Sequence, residues 1–534
     1  MTTEDEGKRG DLEFGTIARL VTIAAERHGG HDAIVDGDTT LTFVDLAARV
    51  RRVARALLAA GIALGDRVAI WGPNSWEWEV AALGVHSVGG VLVPINTRYK
   101  GGEAGYVLEK SGARILFTTC DFLGADLHAV LRAAGHPLPR LERVVALRGP
   151  ATGDVALWSA FVATGERVPD EQIERRSLAV RPEDLCDVIF TSGTTGHPKG
   201  VLATHAQSLR AFRDWSDVVG LRKGDRYLVA LPYFHTFGYK AGFIAALMMG
   251  ATVFPQPVFD VDDVLVRIAR DRITVLPGPP ALYQSILAKP ALAERDLSSL
   301  RLAVTGAAAI PVELIHRMRS ELAFDTIVTG YGLTEATGVS TMCRAGDDPE
   351  TIATTSGRAI PGVEVRVVDD AGDEVAPGNA GEIVVRGYTV MGGYFDDPEE
   401  TSAAIDADGW LHTGDVGVMD ARGYIKITDR KKDMFIVGGV NAYPAEIERV
   451  LLQHPSVALA AVIGAPDERL GEVGVAYVVP RYGAAVAADE VIAFCRERMA
   501  NFKVPRRVEV LDALPMNATG KVLKYVLRQR ARGE

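Results

Sequence analysis

The chain has 534 residues, of which 48% are hydrophobic and 24% are charged, and this length predicts more than one hydrophobic core. Its net charge of -11 argues against a nucleic-acid-binding protein, whose binding face is normally basic. The four cysteines form no C-x-x-C pair, which argues against a disulfide framework or a zinc site and predicts reduced thiols in a cytoplasmic protein.

Neither the first residues nor the longest charge-free run has the pattern of a membrane segment. Residues 1–13 are polar and lack the apolar stretch of a signal peptide. Residues 241–259 are interrupted by glycines and prolines, whereas a membrane span needs about 20 mostly apolar residues. We therefore expect a buried helix followed by a strand in this run, and a cytoplasmic protein without an integral membrane segment.

The first 180 residues alternate helix and strand patterns. Residues 43–60 carry apolar side chains at helical spacing, and a second helix, residues 76–88, lies between the apolar strands 67–71 and 90–94. Strand, helix and strand in this order predict parallel βαβ units in a doubly wound sheet. Further strands, apolar on both faces as in a sheet covered by helices, are predicted at 225–231, 252–254, 273–276 and 302–305.

The pattern changes near residue 357. Residues 363–368 and 381–386 lie between Asp/Gly turns and predict a smaller antiparallel β region. A last α+β unit is predicted from helix 443–452, strand 457–463, helix 489–499 and strand 507–511. The predicted fold class is α/β. The joint between the two domains is predicted in the charged stretch 429–433. A large N-terminal domain of mostly parallel sheets plus a small β region, residues 1–429, precedes a small α+β domain, residues 430–534.

The strongest local motif is TSGTTGHPKG at residues 191–200, directly after the apolar strand 187–190. Glycines let backbone N–H groups converge on one anion, and hydroxyls and an ammonium add donors, so the motif predicts a polyphosphate site. It is not a Walker A loop, because Gly200 and an extended segment follow Lys199. The candidate phosphate-binding residues are Thr191, Ser192, Gly193, Thr194, Thr195, Gly196 and Lys199.

With this motif the sequence resembles the adenylate-forming superfamily of acyl-CoA synthetases, adenylation domains and luciferases. The resemblance extends from about Phe14 to Arg528 and rests on several motifs in the family's order. It implies that a carboxylic acid reacts with ATP, in the presence of Mg²⁺, to an acyl-adenylate and pyrophosphate. Coenzyme A then takes the acyl group and AMP is released.

A second motif, GYGLTE, occupies residues 330–335. An aromatic ring between glycines offers a stacking face for a base, and a carboxylate can bind Mg²⁺ through oxygen. The resemblance assigns Tyr331 to adenine, Thr334 to the α-phosphate and Glu335 to Mg²⁺. It places Gly306, Ala307 and Ala308 beside the adenine and acyl pocket, and Gly330 and Gly332 are the glycines that flank Tyr331. Without the other motifs, a strand-ending turn with a helix-capping threonine is the simpler interpretation.

Three further residues receive roles from the resemblance. Asp415 ends the motif WLHTGD, and a carboxylate can accept hydrogen bonds from both ribose hydroxyls. The resemblance assigns Asp415 and Arg430 to the ribose. It assigns Lys521, in PMNATGK, to the catalytic bridge between the acid's carboxylate and the α-phosphate. Taken alone, an aspartate in a β-turn and a solvated lysine describe these positions equally well.

Transfer to coenzyme A depends on a rotation of the C-terminal domain in the family. The resemblance makes this domain mobile, puts its pivot at Lys432 and puts Gly438 and Gly439 along the pantetheine tunnel, although a plain β-turn has the same two glycines. The alternative is an acyl-AMP ligase that loads a phosphopantetheinyl carrier protein. Fatty acyl-AMP ligases carry an insertion ahead of the hinge, and the short path from Asp415 to Arg430 leaves little room for one.

The acid is expected to bind near residues 232–238. His235 occupies the family's gating position, and Phe234 and Phe237 complete an aromatic gate; the alternative is a packed aromatic cluster with one satisfied histidine. Lys240 departs from the uncharged residue usual in the family and needs a partner if it is buried, either an acidic side chain or a polar group of the substrate. The run 235–242 also resembles actinobacterial ligases for steroid-ring propanoates. The predicted substrate is therefore a medium-chain, cyclic or steroid-derived propanoate-type acid.

Overall fold

The computed structural model describes residues 8–191, 198–289, 292, 295–306, 310–430, 433–437, 440–467, 470–499, 501–517 and 521–532. Within these residues, no helix has both the length and the apolar character needed to cross a lipid bilayer.

Three sheets make up the first two thirds of the chain, and most of their neighbouring strands are parallel. Their strands are β1 (Asp32–Asp36), β2 (Thr39–Thr42), β3 (Arg67–Trp71), β4 (Val91–Pro94), β5 (Ile115–Thr118), β6 (Arg143–Ala146), β7 (Ala156–Leu157), β8 (Leu185–Thr191), β9 (Lys199–Thr204), β10 (Arg226–Val229), β11 (Thr252–Pro255), β12 (Leu302–Gly306), β13 (Thr326–Tyr331), β14 (Thr341–Met342) and β15 (Arg358–Ala359). Their orders are β7-β6-β5-β3-β4-β8-β9, β10-β11-β1-β2 and β12-β13-β14-β15, and in the third sheet β14 pairs antiparallel with both of its neighbours. The predicted doubly wound α/β architecture is confirmed.

Helices cover these sheets. They are α1 (Gly10–Phe14), α2 (Ile17–His28), α3 (Phe43–Ala59), α4 (Trp76–Ser87), α5 (Gly101–Ser111), α6 (Leu127–Ala133), α7 (Trp158–Ala163), α8 (Asp170–Ala179), α9 (His205–Val219), α10 (Ala245–Met249), α11 (Val261–Asp271), α12 (Pro280–Leu287), α13 (Val312–Glu321) and α14 (Pro349–Thr354), with a π-helical segment over Phe237–Ile244 and a 3₁₀ turn over Thr334–Ala336. Helix α3 begins where the sequence predicts, because the hydroxyl of Thr42 accepts from the Asp45 N–H and the Asp45 carboxylate accepts from the Thr42 N–H.

One predicted strand is wrong. Residues 273–276 form only a parallel bridge at Val275, which pairs singly with Tyr227 of β10 and Leu302 of β12. The pairing with β10 cannot continue because Pro277 has no N–H to donate, although Gly278 still donates to the carbonyl oxygen of Val304 in β12. The single bridge still joins the two four-stranded sheets at the predicted place.

The predicted antiparallel region is confirmed and extends to residue 430. It contains β16 (Val363–Val368), β17 (Ala380–Gly387), β18 (Leu411–Met419) and β19 (Ile425–Arg430), in that order, with α15 (Pro398–Ala404) between β17 and β18.

The C-terminal α+β unit forms its own core. It consists of β20 (Phe435–Val437), β21 (Val440–Ala442), α16 (Pro444–Leu451), β22 (Val457–Asp467), β23 (Gly471–Pro480), α17 (Ala488–Arg496), β24 (Arg507–Val510) and α18 (Lys524–Arg532). Phe435, Ile447, Val462 and Val491 are buried in one cluster, whose members all come from this unit. Helix α16 lies beside β19, close enough for the charges of Arg449 and Glu446 to act on Lys426.

Candidate active site

The phosphate motif begins and ends in a β-hairpin. Thr191 is the last residue of β8 and pairs across the antiparallel ladder with Lys199, the first residue of β9. The predicted strand before the motif and the extended segment after it are both confirmed. Five predicted residues lie outside the described part of the chain: Ser192, Gly193, Thr194, Thr195 and Gly196. Their neighbours place the motif at the carboxyl end of β8, the edge at which open α/β sheets bind ligands.

Glu335 forms a hydrogen bond with the first residue of the phosphate motif. It lies with Thr334 in the 3₁₀ turn after β13, and its Oε1 accepts hydrogen bonds from the Thr191 hydroxyl at 3.3 Å and from the Tyr394 hydroxyl at 3.1 Å. Burial, followed by the charge of Glu335, raises the pKa of Tyr394 far above its usual value, so this phenol remains a hydrogen-bond donor. The structure therefore brings two motifs that are 144 residues apart in sequence to one point.

The oxygen atoms at this point fit Mg²⁺. The carboxylate of Glu335 and the hydroxyl of Thr191 are hard oxygen donors, which Mg²⁺ prefers. Among the residues described, no cluster of three or more His, Cys, Asp or Glu side chains could hold a metal ion. One carboxylate with a neighbouring hydroxyl is compatible with the usual way proteins bind Mg²⁺, in which one or two carboxylates act together with the phosphates of a nucleotide.

Lys199 has two partners that the sequence analysis did not identify. Its ammonium forms an ion pair with Glu400 and lies 5.1 Å from the centre of the Tyr394 ring. Tyr394 directly follows Gly392 and Gly393, and Gly393 has a φ of +127° with Thr401 in the space of a Cβ. A glycine pair before an aromatic residue is a signal of close backbone approach that could have singled out this segment.

The predicted adenine and ribose residues also lie together. The Tyr331 hydroxyl donates to Asp415 Oδ2 at 2.6 Å, and Asp415 is buried. The backbone of Arg430 pairs with Asp415 across β18 and β19, while the side chain of Arg430 is outside the description.

At this edge of the sheet, the backbone packs so closely that two positions, Gly306 and Gly332, have no room for a side chain. Gly306 of β12 pairs with Gly330 of β13, whose carbonyl oxygen would lie 2.7 Å from a Cβ on Gly306. A Cβ on Gly332 would lie 2.3 Å from the carbonyl oxygen of Gly338. Ala307 and Ala308 follow β12 and lie outside the described residues.

The histidine of the predicted gate is neutral in this structure. Burial lowers the pKa of His235 to about 4. Its Nδ1 accepts the backbone N–H of Phe237 at 3.2 Å, which assigns the ring proton to Nε2. Phe237 packs edge-on against Trp215, with ring centres 5.8 Å apart, and Phe234 is buried. The histidine is thus satisfied on one side, as the packed-cluster alternative expects, and keeps one N–H for another partner.

Asn74 contacts the segment that leads into the predicted gate, and the sequence analysis gave it no role in the site. Its amide nitrogen donates to the carbonyl oxygens of Val229 at 3.1 Å and Leu231 at 2.9 Å, and its Oδ1 accepts the Tyr233 N–H at 2.8 Å. Because one side chain binds both ends of the turn, residues 229–233 are held in a single conformation.

Lys521 lies in a hairpin of the C-terminal unit. The Asn517 side chain accepts the backbone N–H of Lys521, and the Asn517 N–H donates to the Lys521 carbonyl, both at 2.8 Å. Lys521 itself is exposed. Three predicted residues of the hinge and tunnel, Lys432, Gly438 and Gly439, lie outside the described residues.

The whole chain resembles known proteins at the level of family and of structure. Residues 21–395 match the family described as AMP-binding enzyme, and residues 446–521 match the AMP-binding enzyme C-terminal domain. The structure superimposes with a TM-score of 0.86 on an anthranilate CoA ligase in complex with anthranoyl-AMP, which is 30% identical and covers 97% of each chain. It superimposes with a TM-score of 0.83 on ATP-bound MatB from Rhodopseudomonas palustris, 30% identical over 96% of this chain and 98% of the other.

Among curated proteins, one relative is the 3-[(3aS,4S,7aS)-7a-methyl-1,5-dioxo-octahydro-1H-inden-4-yl]propanoyl:CoA ligase of Rhodococcus jostii, 52% identical over 95% of this chain and 97% of its own length. Shared sequence over nearly the full length of both proteins, together with the two family matches, carries the activity as well as the fold. The chain therefore belongs to the AMP-binding enzyme family and is an acyl-CoA synthetase that uses ATP, Mg²⁺ and coenzyme A and works through an acyl-adenylate.

Proposed function

We propose that the acid activated by this enzyme is a propanoic acid attached to a steroid-derived, keto-substituted fused-ring system. One observation carries the proposal: the 52% identity, over 95% of this chain, to a ligase named for such an acid. The aromatic side chains of Phe234 and Phe237, both in the proposed gate segment, would suit an apolar ring system. A medium-chain or simpler cyclic acid is the competing substrate.

We also propose the roles of the nucleotide-site residues. The segment Thr191, Ser192, Gly193, Thr194, Thr195, Gly196 and Lys199 binds the phosphates, Thr334 contacts the α-phosphate, and Glu335 binds Mg²⁺. Tyr331, with Gly306, Ala307, Ala308, Gly330 and Gly332, forms the adenine pocket, and Asp415 with Arg430 binds the ribose. The Thr191–Glu335 and Tyr331–Asp415 contacts support this assignment, because each joins residues that would act on neighbouring parts of one ATP molecule.

Adenylation is an in-line displacement in which an acid's carboxylate oxygen attacks an α-phosphate that is itself negative. Positioning and electrostatic stabilisation therefore supply most of the catalysis. Mg²⁺ held by Glu335 would neutralise charge on the departing pyrophosphate. Lys521 would neutralise the two reacting groups, and His235, neutral with its proton on Nε2, would close the acid pocket without adding a charge.

Thioester formation follows at the same carbonyl. The sulfur of coenzyme A bonds to the acyl carbon, the bond to the phosphate oxygen breaks, and AMP leaves with the electron pair. A thiol with a pKa near 8.5 is partly ionised at neutral pH, so no dedicated base is required. We propose that residues 430–534 rotate about Lys432 relative to residues 1–429 for this step, with Gly438 and Gly439 along the pantetheine tunnel. The separate core around Phe435 supports a unit that moves as a body.

We propose that the enzyme works in the cytoplasm. Its four cysteines, all within the described residues, are buried and free, as thiols are in a reducing compartment. ATP and coenzyme A are abundant there. Fractionation of the native host should recover the activity with the cytoplasmic fraction, and recovery outside it would contradict this location.

The catalytic role of Lys521 is tested with Lys521→Ala. Loss of a charge from a preorganised site commonly lowers the rate by about 10²–10³, so acid-dependent ATP–pyrophosphate exchange should nearly disappear. Arg530→Ala is the matched control, because Arg530 is another exposed cation of the same unit, on α18. Unchanged exchange in Lys521→Ala would remove this residue from the mechanism.

The substrate is tested with a panel of straight-chain, aromatic and fused-ring acids, each assayed for AMP release with and without coenzyme A. The proposal expects the keto-substituted fused-ring propanoate to have the highest kcat/KM. Higher kcat/KM for simple fatty acids would contradict the steroid-derived substrate. AMP release that depended on a phosphopantetheinyl protein instead of coenzyme A would contradict the acceptor.

A further inference from the structure

A buried ion pair lies behind the acyl gate. The π-helical segment Phe237–Ile244 contains one charged residue, Lys240, whose Nζ lies 2.9 Å from Asp187 Oδ2 on β8. Both side chains are only 1% exposed. An acidic side chain, rather than a substrate group, is therefore the partner of Lys240.

The surroundings of this pair are polar but uncharged. Asp187 Oδ2 also accepts from the Cys186 thiol at 3.0 Å, while Asp187 Oδ1 has no hydrogen bond within the described part of the chain. Burial lowers the pKa of His205 to about 3; the charge of Asp184 opposes this shift, and the positive charge of Lys240 adds to it. Burial, His205 and Lys240 likewise keep the pKa of His86 far below its usual value. Lys240 and Asp187 are thus each other's charge partners, and the neighbouring histidines His86 and His205 are neutral.

Such a pair is a costly way to stabilise a protein. Removing two charges from water costs several kcal/mol per ion, and apolar residues of similar volume often stabilise a fold as well or better. A buried pair does, however, restrict the geometry of the elements it joins, because each charge must reach the other. The function of this pair therefore depends on which elements Lys240 and Asp187 join.

The two residues connect the two halves of the active site. Asp187 lies on β8, four residues before Thr191, where the phosphate motif begins. Lys240 lies five residues after the gating His235, in a π-helical turn. π-Helical turns are rare, because the α-helix is the more stable winding, and they are found frequently at functional sites. The ion pair ties this less stable turn to the strand that leads to the phosphates.

We propose that the Lys240–Asp187 pair is a positioning device that holds the π-helical turn, and with it the gate at His235 and Phe237, in register with the phosphate-binding strand β8. Neither residue touches the substrate. Without the pair, the turn can rewind toward an α-helix and displace the gate, while β8 keeps its place through its ladders with β4 and β9. The inference rests on the proposed function, because a gate matters only if the acid binds behind it.

The test is the double variant Lys240→Met/Asp187→Leu, which replaces the pair by apolar side chains and leaves no unpaired charge. We expect its melting temperature to stay near that of the wild type and its KM for the acid to rise by about 10-fold, since small misplacements of a site are expensive. Its KM for ATP should change by less than about twofold, because β8 itself is intact. If the pair only stabilised the fold, its loss would not change the KM for the acid more than the KM for ATP.

The matched control is Arg301→Met/Asp225→Leu. Arg301 and Asp225 form another largely buried pair, but they stand at the amino ends of β12 and β10, away from the edge that carries the site. This control should leave the KM for the acid unchanged. If Lys240→Met/Asp187→Leu does not fold, Asp187→Asn is measured by the same criterion. It keeps the size of the side chain and an oxygen that can accept a hydrogen bond from Lys240, but it removes the negative charge, and a rise of about threefold in the KM for the acid is expected.

An unchanged KM for the acid, or equal changes for acid and ATP, would overturn the positioning role. Failure of both variants to fold would also overturn it, since the pair would then be needed for folding itself. The comparison uses whichever acid the wild-type enzyme activates best. A wrong substrate assignment would therefore appear in the wild-type acid panel, and a wrong positioning role only in the variants.

Discussion

Hydroxyl groups hold the two carboxylates of the proposed nucleotide site. Thr191 and Tyr394 donate to Glu335, and Tyr331 donates to Asp415. Donors that already point at a carboxylate fix its orientation, so little reorganisation is needed when charge develops nearby. A substitution that keeps the shape of such a carboxylate and removes its charge therefore tests what the charge contributes to catalysis.

Glu335→Gln keeps the shape of the side chain and removes its charge. We expect ATP–pyrophosphate exchange to fall by about 10²–10³, because a neutral amide is a poor ligand for Mg²⁺. Tyr394→Phe is the control: it removes one donor to Glu335 and should lower the rate by about tenfold or less. Exchange within tenfold of the wild type in Glu335→Gln would contradict the metal assignment.

His205 predicts a specific pH dependence of stability. It is fully buried, with a pKa lowered from 6.5 to about 3, mainly by burial. Between these values the unfolded chain binds a proton that the folded chain does not, so its contribution to the free energy of unfolding falls as the pH falls from 6.5 toward 3. Asp214 acts oppositely, since burial raises its pKa to about 6 and its contribution falls as the pH rises from 3.8 through 6.

His205→Gln isolates the histidine, because Asp214 is common to both proteins. Relative to the wild type, the variant should gain about 2 kcal/mol in the free energy of unfolding when the pH is lowered from 8 to 5, since each unit of pKa shift corresponds to 1.4 kcal/mol. Denaturant unfolding at the two pH values measures the gain. Parallel stability curves for the two proteins would contradict a neutral His205 in the folded state.

At the scale of elements, the site is built where strand ends and turns pack backbone against backbone. β12 ends at Gly306, which pairs with Gly330, the second-last residue of β13, and the turn after Tyr331 returns so closely that a Cβ on Gly332 would overlap Gly338. A close return of this kind needs glycine for space rather than for an unusual φ. The motif GYGLTE thus combines a ring, a carboxylate and the room that its own turn requires.

Gly332→Ala should displace this turn. The added methyl group meets backbone atoms of Gly338 and Val339, which cannot rotate away, so we expect a loss of about 1–3 kcal/mol in stability and a higher KM for ATP. Gly346→Ala is the matched control, because nothing lies within 4 Å of a Cβ there. Equal behaviour of the two variants in thermal unfolding and ATP titration would show that the turn can accommodate a side chain.

At the scale of the whole molecule, a large α/β body and a smaller C-terminal unit meet at β19. The charges of Arg449 and Glu446 act on Lys426, whose pKa is lowered mainly by burial. The proposed pivot, Lys432, follows β19 by two residues. A rotation there would change which face of the C-terminal unit lies against the nucleotide site.

Lys432→Pro tests the rotation. Proline fixes φ, so the variant should retain acid-dependent ATP–pyrophosphate exchange and lose most of its thioester formation, by about tenfold or more if the φ change is obligatory. Lys432→Ala removes the same side chain and leaves the backbone free, so it should keep both half-reactions. Equal losses in the two half-reactions of Lys432→Pro would contradict a pivot at this residue.

Sequence patterns alone determined the order and type of most elements and the motifs themselves. Alternation, helical spacing and glycine-rich turns depend on neighbouring residues, so the strands at 67–71 and 363–368 and the helix from Phe43 follow from local sequence. The resemblance then attached chemistry to the motifs. The predicted strand at 273–276 failed because its extent depended on Pro277 and on the two sheets it bridges.

Only the tertiary structure decided which distant residues complete the site. Asn74 beside the segment that leads into the gate, Tyr394 and Glu400 beside Lys199, and Asp187 as the partner of Lys240 are each separated by more than 50 residues from the group they contact. No local pattern encodes such pairs, because burial and packing select a buried charge's partner from all the elements that meet around it. The sequence thus determined what the protein is able to bind, and the fold decided how those groups are held.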